Sequence, residues 1–322
     1  MNFKHKFLSV RSGLFILTFL FSTLLSSGQT TPLYPLSYRI FNPFIFNPAI
    51  AGSKDFLSAD LIAGKYGKSN SQIISGSTRL SKSSPGYFSS RGSPEFTNIG
   101  IGGSLFNELN GSTRNNGISA AISYHLQADK NALSFLSFGV SGKAVYSQYS
   151  GNPELRDSAR NTIYFSFDAG VYYYGENLFA GLSVTNIPGN PEEPDSMRVY
   201  TIPVSQQLFF QVGYKIALSK SLNILLEPSI IVNTDLSFSG EITDMIEPML
   251  KIYAGSFCAG TYFYDFKKYS FFLQYKYPKF YIGTYFELPK NTPFYKSPIR
   301  AELAFGLNIS AIKSGFSRNN HW

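Results

Sequence analysis

Residues 299–309 alternate strictly. Ile299, Ala301, Leu303, Phe305, Leu307 and Ile309 fall on one face; Arg300, Glu302, Ala304, Gly306 and Asn308 fall on the other. A period of two is the signature of a β-strand, whose successive side chains point to opposite faces. Such a strand has no way to hide its apolar face alone. It needs lipid or a second sheet. The pattern recurs. Ile163, Phe165, Phe167, Ala169, Val171 and Tyr173 oppose Ser166, Asp168 and Gly170. Leu208, Phe210, Val212, Tyr214, Ile216 and Leu218 oppose Gln211, Gly213 and Lys215. The segments 118–124 and 178–184 behave alike. Their second faces are small or polar, which suits a crowded or wet interior.

Read this way, the chain holds about fourteen strands, many of roughly 10 residues, the length a tilted strand needs to cross a bilayer. They lie near 56–66, 70–80, 97–106, 115–126, 134–147, 163–174, 177–187, 203–218, 221–233, 245–253, 257–266, 269–277, 279–288 and 299–309. Connections at 175–176, 219–220, 254–256 and Pro278 read as tight turns. Those at 107–114, 148–162, 188–202, 234–244 and 289–298 read as longer polar loops. Long loops at one end and short turns at the other are the outer-membrane pattern. The segment 81–96 and the short turns at 67–69 and 267–268 break it. A secreted β-sandwich also alternates, but the number of strands and the aromatic residues on the apolar faces favour a barrel. With 30 Phe and 22 Tyr, mean hydropathy is still only −0.06. No stretch after the N-terminus is apolar enough for a spanning helix. The fold class expected is therefore all-β: a transmembrane antiparallel β-barrel of about fourteen strands with a short N-terminal plug. The groups Tyr172-Tyr173-Tyr174, Tyr262-Phe263-Tyr264 and Tyr275 with Tyr277 are expected at the membrane interface.

Residues 1–28 read as a secretory signal: Lys4, Lys6 and Arg11, then the apolar run Leu14–Leu25, then Ser26-Ser27-Gly28. Residues 29–55 form the lead into the barrel, 56–310 the barrel, and 311–322 a C-terminal tail. The expected location is the outer membrane of a Gram-negative bacterium, after cleavage of the signal, with outer-membrane lipid around the wall. The formal charge of +8 falls to +5 without the signal. Its basic residues are scattered, so a nucleic-acid partner is not expected. Cys258 is the single cysteine, and no disulfide can form within the chain.

Chemistry is hard to find. His125 and His321 are the histidines after the signal, and no metal-ligand spacing exists. His125 is expected to be structural, and Cys258 a small buried residue. No Gly-x-Ser-x-Gly elbow supports a nucleophile. Gly100, Gly102 and Gly103 lack the Lys-Ser/Thr of a phosphate loop and are expected to thin a strand for curvature. No enzyme and no cofactor is expected. Asp168, Lys215, Glu227, Arg300 and Glu302 are candidate lumen charges, expected to pair with one another rather than line a pore. Glu154, Arg156, Glu192, Glu193 and Asp195 lie in the two long loops 148–162 and 188–202 and are candidates for contact with a partner. The last three could hold calcium, but a solvated stiff loop is the simpler reading.

One motif stands out from the alternation: Phe41-Asn42-Pro43-Phe44-Ile45-Phe46-Asn47-Pro48-Ala49-Ile50-Ala51-Gly52. Proline pushes the residue before it out of the helical region, and Asn-Pro starts turns. A doubled Asn-Pro is thus a fixed, non-helical entry to the first strand, expected at the periplasmic mouth. Asn42, Pro43, Asn47, Pro48, Ala49, Ala51 and Gly52 are its key positions. This run, from Tyr38 to Gly52, resembles the opening of the PorP/SprF family of Bacteroidota outer-membrane proteins. The resemblance implies a 14-stranded barrel of the type IX secretion and gliding system. It also implies a non-enzymatic role, binding and anchoring a secreted adhesin-type cargo by its C-terminal domain at the cell surface, with secretion components in the periplasm as further partners. Asn47-Pro48-Ala49 is also similar to the hatch of FadL-like outer-membrane transporters of hydrophobic small molecules. The 29–55 lead is short for such a hatch.

Overall fold

The computed structural model describes residues 37–54, 56–81, 96–129, 134–150, 159–188, 206–219, 221–236, 245–264, 268–277, 279–288, 291–292, 295–296 and 299–309. The signal region, the tail, and Glu154, Arg156, Glu192, Glu193 and Asp195 lie outside the described residues.

Fourteen antiparallel strands close into a barrel. They are β1 Leu57–Tyr66, β2 Ser69–Ser81, β3 Phe96–Asn110, β4 Thr113–Asp129, β5 Ser134–Tyr149, β6 Arg160–Tyr174 and β7 Leu178–Pro188. β8 runs as Gln207–Tyr214 and, after a break at Lys215, Ile216–Ser219. Then come β9 Ile224–Asp235, β10 Ile246–Ala254, β11 Phe257–Tyr264, β12 Lys268–Tyr277, β13 Phe280–Glu287 and β14 Arg300–Ile309. Each strand pairs with its sequence neighbours, and β14 closes onto β1 from Ile309↔Leu57 to Arg300↔Tyr66. Closure leaves no edge, so every ladder can be satisfied inside a membrane.

The alternation read from the sequence holds strand by strand. Ile163 and Phe165 point outward, each 64% exposed, while Asp168, on the other face of the same strand, is buried at 1%. Leu303, Phe305, Leu307 and Ile309 are likewise exposed, and Arg300, Glu302 and Ala304 face the lumen. The outer face is the lipid band, and the inner face is the core.

Two expectations need correction, and one loop carries structure of its own. The stretch 107–114 is not a loop. β3 and β4 run through it and turn at Gly111-Ser112, where Gly111 takes φ 59°. A two-residue hairpin of this kind needs a left-handed first position, which glycine supplies. The stretch 289–298 carries a small hairpin, with Asn291–Thr292 paired to Tyr295–Lys296. The tyrosine groups divide between the two faces. Tyr275 and Tyr277 are exposed outward, but Tyr172, Tyr174 and Tyr262 are buried in the lumen. Period two requires this split, because neighbours in a strand never share a face.

Candidate functional site: the plugged lumen

The Asn-Pro element lies inside the barrel rather than at its mouth. A single helical turn, α1 Ser37–Phe41, is followed by two 3-10 turns, Pro43–Ile45 and Pro48–Ile50. Each proline sits at the first position of its turn, where no N–H is needed and its fixed φ fits. Almost every residue from Ser37 to Gly52 is buried. Gly52, at φ 70°, turns the chain toward β1; a Cβ there would sit 2.6 Å from Gly100 Cα.

The two asparagines act differently. Asn47 caps its own turn, its Oδ1 accepting from the Ala49 N–H at 3.0 Å, while Nδ2 donates to the Val171 carbonyl at 3.1 Å. Asn42 makes no cap. Its Nδ2 donates to Asp60 on β1 and to Ser75 Oγ on β2. Asp60 also accepts from Tyr281 Oη at 2.6 Å, and Tyr38 Oη donates to Ser75 Oγ at 3.0 Å. Burial holds the Tyr38 phenol neutral, well above its ordinary pKa.

A short irregular segment in a barrel must find partners for its backbone carbonyls. The wall supplies them. Ser183 Oγ donates to the Phe46 carbonyl at 2.6 Å, Ser137 Oγ to Ala49 at 2.8 Å, and Ser123 Oγ to Ala51 at 2.6 Å. His125 Nε2 adds a second donor to Ala51 at 2.9 Å, which leaves Nδ1 to accept from Tyr174 Oη at 3.0 Å. Arg79 Nε reaches the Gly52 carbonyl at 3.0 Å, and Lys251 Nζ reaches Ile40 at 3.3 Å. The close approach depends on glycines that face inward. A Cβ at Gly100 would overlap the Ala51 carbonyl, at Gly139 the Ala49 backbone, and at Gly170 the Asn47 side chain. Gly100 and Gly102 therefore make room for the plug, a firmer reason than strand curvature.

The opposite wall holds side chains. The Arg39 guanidinium pairs with Glu247, donates to Tyr262 Oη at 2.8 Å, and lies over the rings of Phe46 and Phe209 at 5.3 and 5.5 Å. Phe41 packs against Phe272 and Tyr281. The amide N–H of Ser37 meets Glu302 at 2.9 Å.

The candidate lumen charges all face inward, and Asp168, Glu227, Arg300 and Glu302 each have an ion-pair partner. Asp168 takes Lys143 at 2.9 Å, Ser141 Oγ at 2.6 Å and the Asn186 N–H at 2.9 Å. Glu227 takes Lys251 at 3.2 Å, and Arg300 lies 3.5 Å from Glu302 and 3.8 Å from Glu287. Lys215 is buried at the break in β8. They do not converge on one reacting centre. Beside His125 stands Tyr174, not a carboxylate, and the His-Ser pair is spent on a plug carbonyl. Cys258 is free and buried. Among the described residues, no cluster of His, Cys, Asp or Glu could hold a metal.

The sequence profile of the type IX secretion system membrane proteins PorP/SprF matches residues 28–298. The chain belongs to this family. A comparison with curated protein sequences found no match. Among solved structures, this PorP/SprF protein is similar to the KdgM porin at 9% identity and TM-score 0.37, covering 78% of this chain and 98% of that one. It is similar to the Ralstonia pickettii toluene transporter TbuX at 11% identity and TM-score 0.44, covering 88% and 96%. The Pseudomonas putida toluene transporter TodX gives 10% and 0.42, covering 88% and 95%.

Several contributors to the PorP/SprF lumen carry no sequence signal of their own. Arg39 lies 208 positions before Glu247 and 223 before Tyr262. Lys143 and Asp60 sit at ordinary inward positions. The Asn-Pro lead and the smallness of the inward residues hinted that something fills the barrel, but not which wall residues hold it.

Proposed function

We propose that this protein is a non-enzymatic outer-membrane barrel that binds a secreted adhesin-type cargo by its C-terminal domain and anchors it at the cell surface. The observation that carries this reading is the occupied lumen. The segment from Ser37 to Gly52 fills the barrel and has its carbonyls tied to both walls, so the interior is spent on its own chain. Function then falls to the loops and rims. The polar loops with Glu154, Arg156, Glu192, Glu193 and Asp195 are the proposed contact surface, outer-membrane lipid surrounds the wall, and secretion components meet the periplasmic rim.

Deleting residues 151–158 and 189–202 together tests this. Barrel levels in the outer membrane should hold, while cargo detected on whole cells drops at least tenfold. Unchanged cargo display at normal barrel levels would sink the reading. A transporter of hydrophobic small molecules predicts a different outcome: purified protein carrying a lipid-like molecule in the lumen and no protein partner by mass spectrometry.

A further inference from the structure

The plug does not fill the barrel evenly. Beside it, against β8 to β13, lies a cavity of about 100 Å³. Its lining includes Lys54 of the plug, Lys251 of β10, Lys276 and Gln274 of β12, Asn308 of β14 and Ser77 of β2. It sits toward the mouth where β1 begins and β14 ends. A water molecule takes roughly 30 Å³, so the space suits a small ion with some water.

The charge around this cavity is unbalanced. The charged groups lining it are Arg39 and Lys54 from the plug segment, Glu227 from β9, Lys251 from β10 and Lys276 from β12; Asp60 of β1, Lys215 of β8 and Glu247 of β10 stand behind the lining and act on these groups. All three carboxylates are already engaged. Glu247 holds Arg39, Glu227 holds Lys251, and Asp60 takes Asn42 and Tyr281. Among the described residues, the lining and the groups behind it hold five cations and three carboxylates, so positive charge predominates. Lys276 makes the imbalance concrete, because its Nζ is buried and has no hydrogen-bond partner. An ammonium out of water without a partner is costly, and its nearest charged neighbours include Lys54, Lys215 and Lys251, of the same sign.

We propose that this cavity binds a phosphate group, either inorganic phosphate or a phosphate ester. A predominantly cationic lining with a buried, unpartnered ammonium matches a species of about −1.5 to −2 charge at pH 7 better than it matches a single carboxylate. Phosphate oxygens would accept from Lys276 and Lys54, with Gln274 and Asn308 as neutral donors. Lysine binds phosphate as a point charge and needs no fork geometry. The site is independent of cargo anchoring and can fail or stand without it.

The test uses full-length protein in detergent at low ionic strength, titrated calorimetrically with inorganic phosphate and, in parallel, acetate. Wild type should bind phosphate saturably and at least ten times more tightly than acetate. Lys276→Met should weaken phosphate binding at least tenfold, and Lys276→Arg should keep most of it. If Lys276→Met fails to fold by heat-modifiable gel mobility, Lys54→Met carries the same expectation. Mass spectrometry of denatured protein then tells the source: free phosphate indicates the ion, and a stoichiometric phospholipid indicates a headgroup. Equal binding by wild type and both Met variants, acetate binding as tight as phosphate, or no saturable binding of phosphate overturns the proposal.

Discussion

The wall from β3 to β7 and the wall from β9 to β13 hold the same plug by opposite means. On the first side, backbone meets backbone. Inward glycines remove the Cβ, and short serines reach the carbonyls of Phe46, Ala49 and Ala51. On the second side, long side chains meet. Arg39 spans to Glu247 and Tyr262, Phe41 packs on Phe272, and a cavity remains. The first arrangement is shape, short in range and unforgiving of added volume. The second is charge and rings, able to tolerate a gap but costly when one partner is lost. The difference teaches that the plug is seated by one wall and clamped by the other.

The largest effect is expected at the clamp. Glu247→Ala removes the carboxylate that pairs with the buried Arg39 guanidinium. Breaking a buried pair by removing one partner costs about 3–5 kcal/mol. The expected outcome is a clear fall in the temperature at which the barrel loses its folded gel mobility. Replacing both partners, Arg39→Met with Glu247→Leu, should recover most of the loss, since no charge is then stranded. A double variant as weak as the single one would mean the pair acts through something other than charge.

The next effect belongs to the seat. Gly139→Ala places a methyl on the backbone of Ala49 and forces the plug to shift; overpacking of this kind costs about 1–3 kcal/mol. Gly142→Ala on the same strand is the control. Its Cβ meets nothing closer than Phe167 at 3.8 Å, so stability should stay within about 0.5 kcal/mol. Equal behaviour of the two variants in thermal unfolding would remove the seat from the account.

How much of this was legible beforehand follows from range. The strands were readable because the signal is local: Ile163, Phe165 and Phe167 announce their face without knowledge of any partner. Long paired strands then close in only a few ways, and each expected segment corresponds to an observed strand. The two Asn-Pro turns were readable for the same reason, since proline acts on its own φ and its neighbour. The seat was half legible. Gly139, Gly170, Ser137 and Ser183 show as small inward residues, but the plug atoms they touch are 88 to 137 positions away for the two serines. The clamp was not legible at all. Glu247 and Tyr262 look like any inward polar residue until the barrel brings them to Arg39. Tyr172 and Tyr174 misled because tyrosine serves both the interface and a lumen core, and composition alone does not choose between them.

The smallest effect tests whether the seat's hydrogen bonds act singly. Ser183→Ala removes the donor to the Phe46 carbonyl and leaves a cavity of one hydroxyl. An uncharged hydrogen bond contributes about 0.5–1.5 kcal/mol, and that is the expected loss in thermal unfolding. The serine at 123 differs, because His125 still donates to the Ala51 carbonyl when Ser123 is replaced. Ser123→Ala should therefore cost less than Ser183→Ala. If the two cost the same, the histidine is not holding that carbonyl, and the seat rests on shape alone. If the pair together costs more than the sum of the singles, the serines hold one rigid backbone between them, and the coupling measures how rigid the plug is.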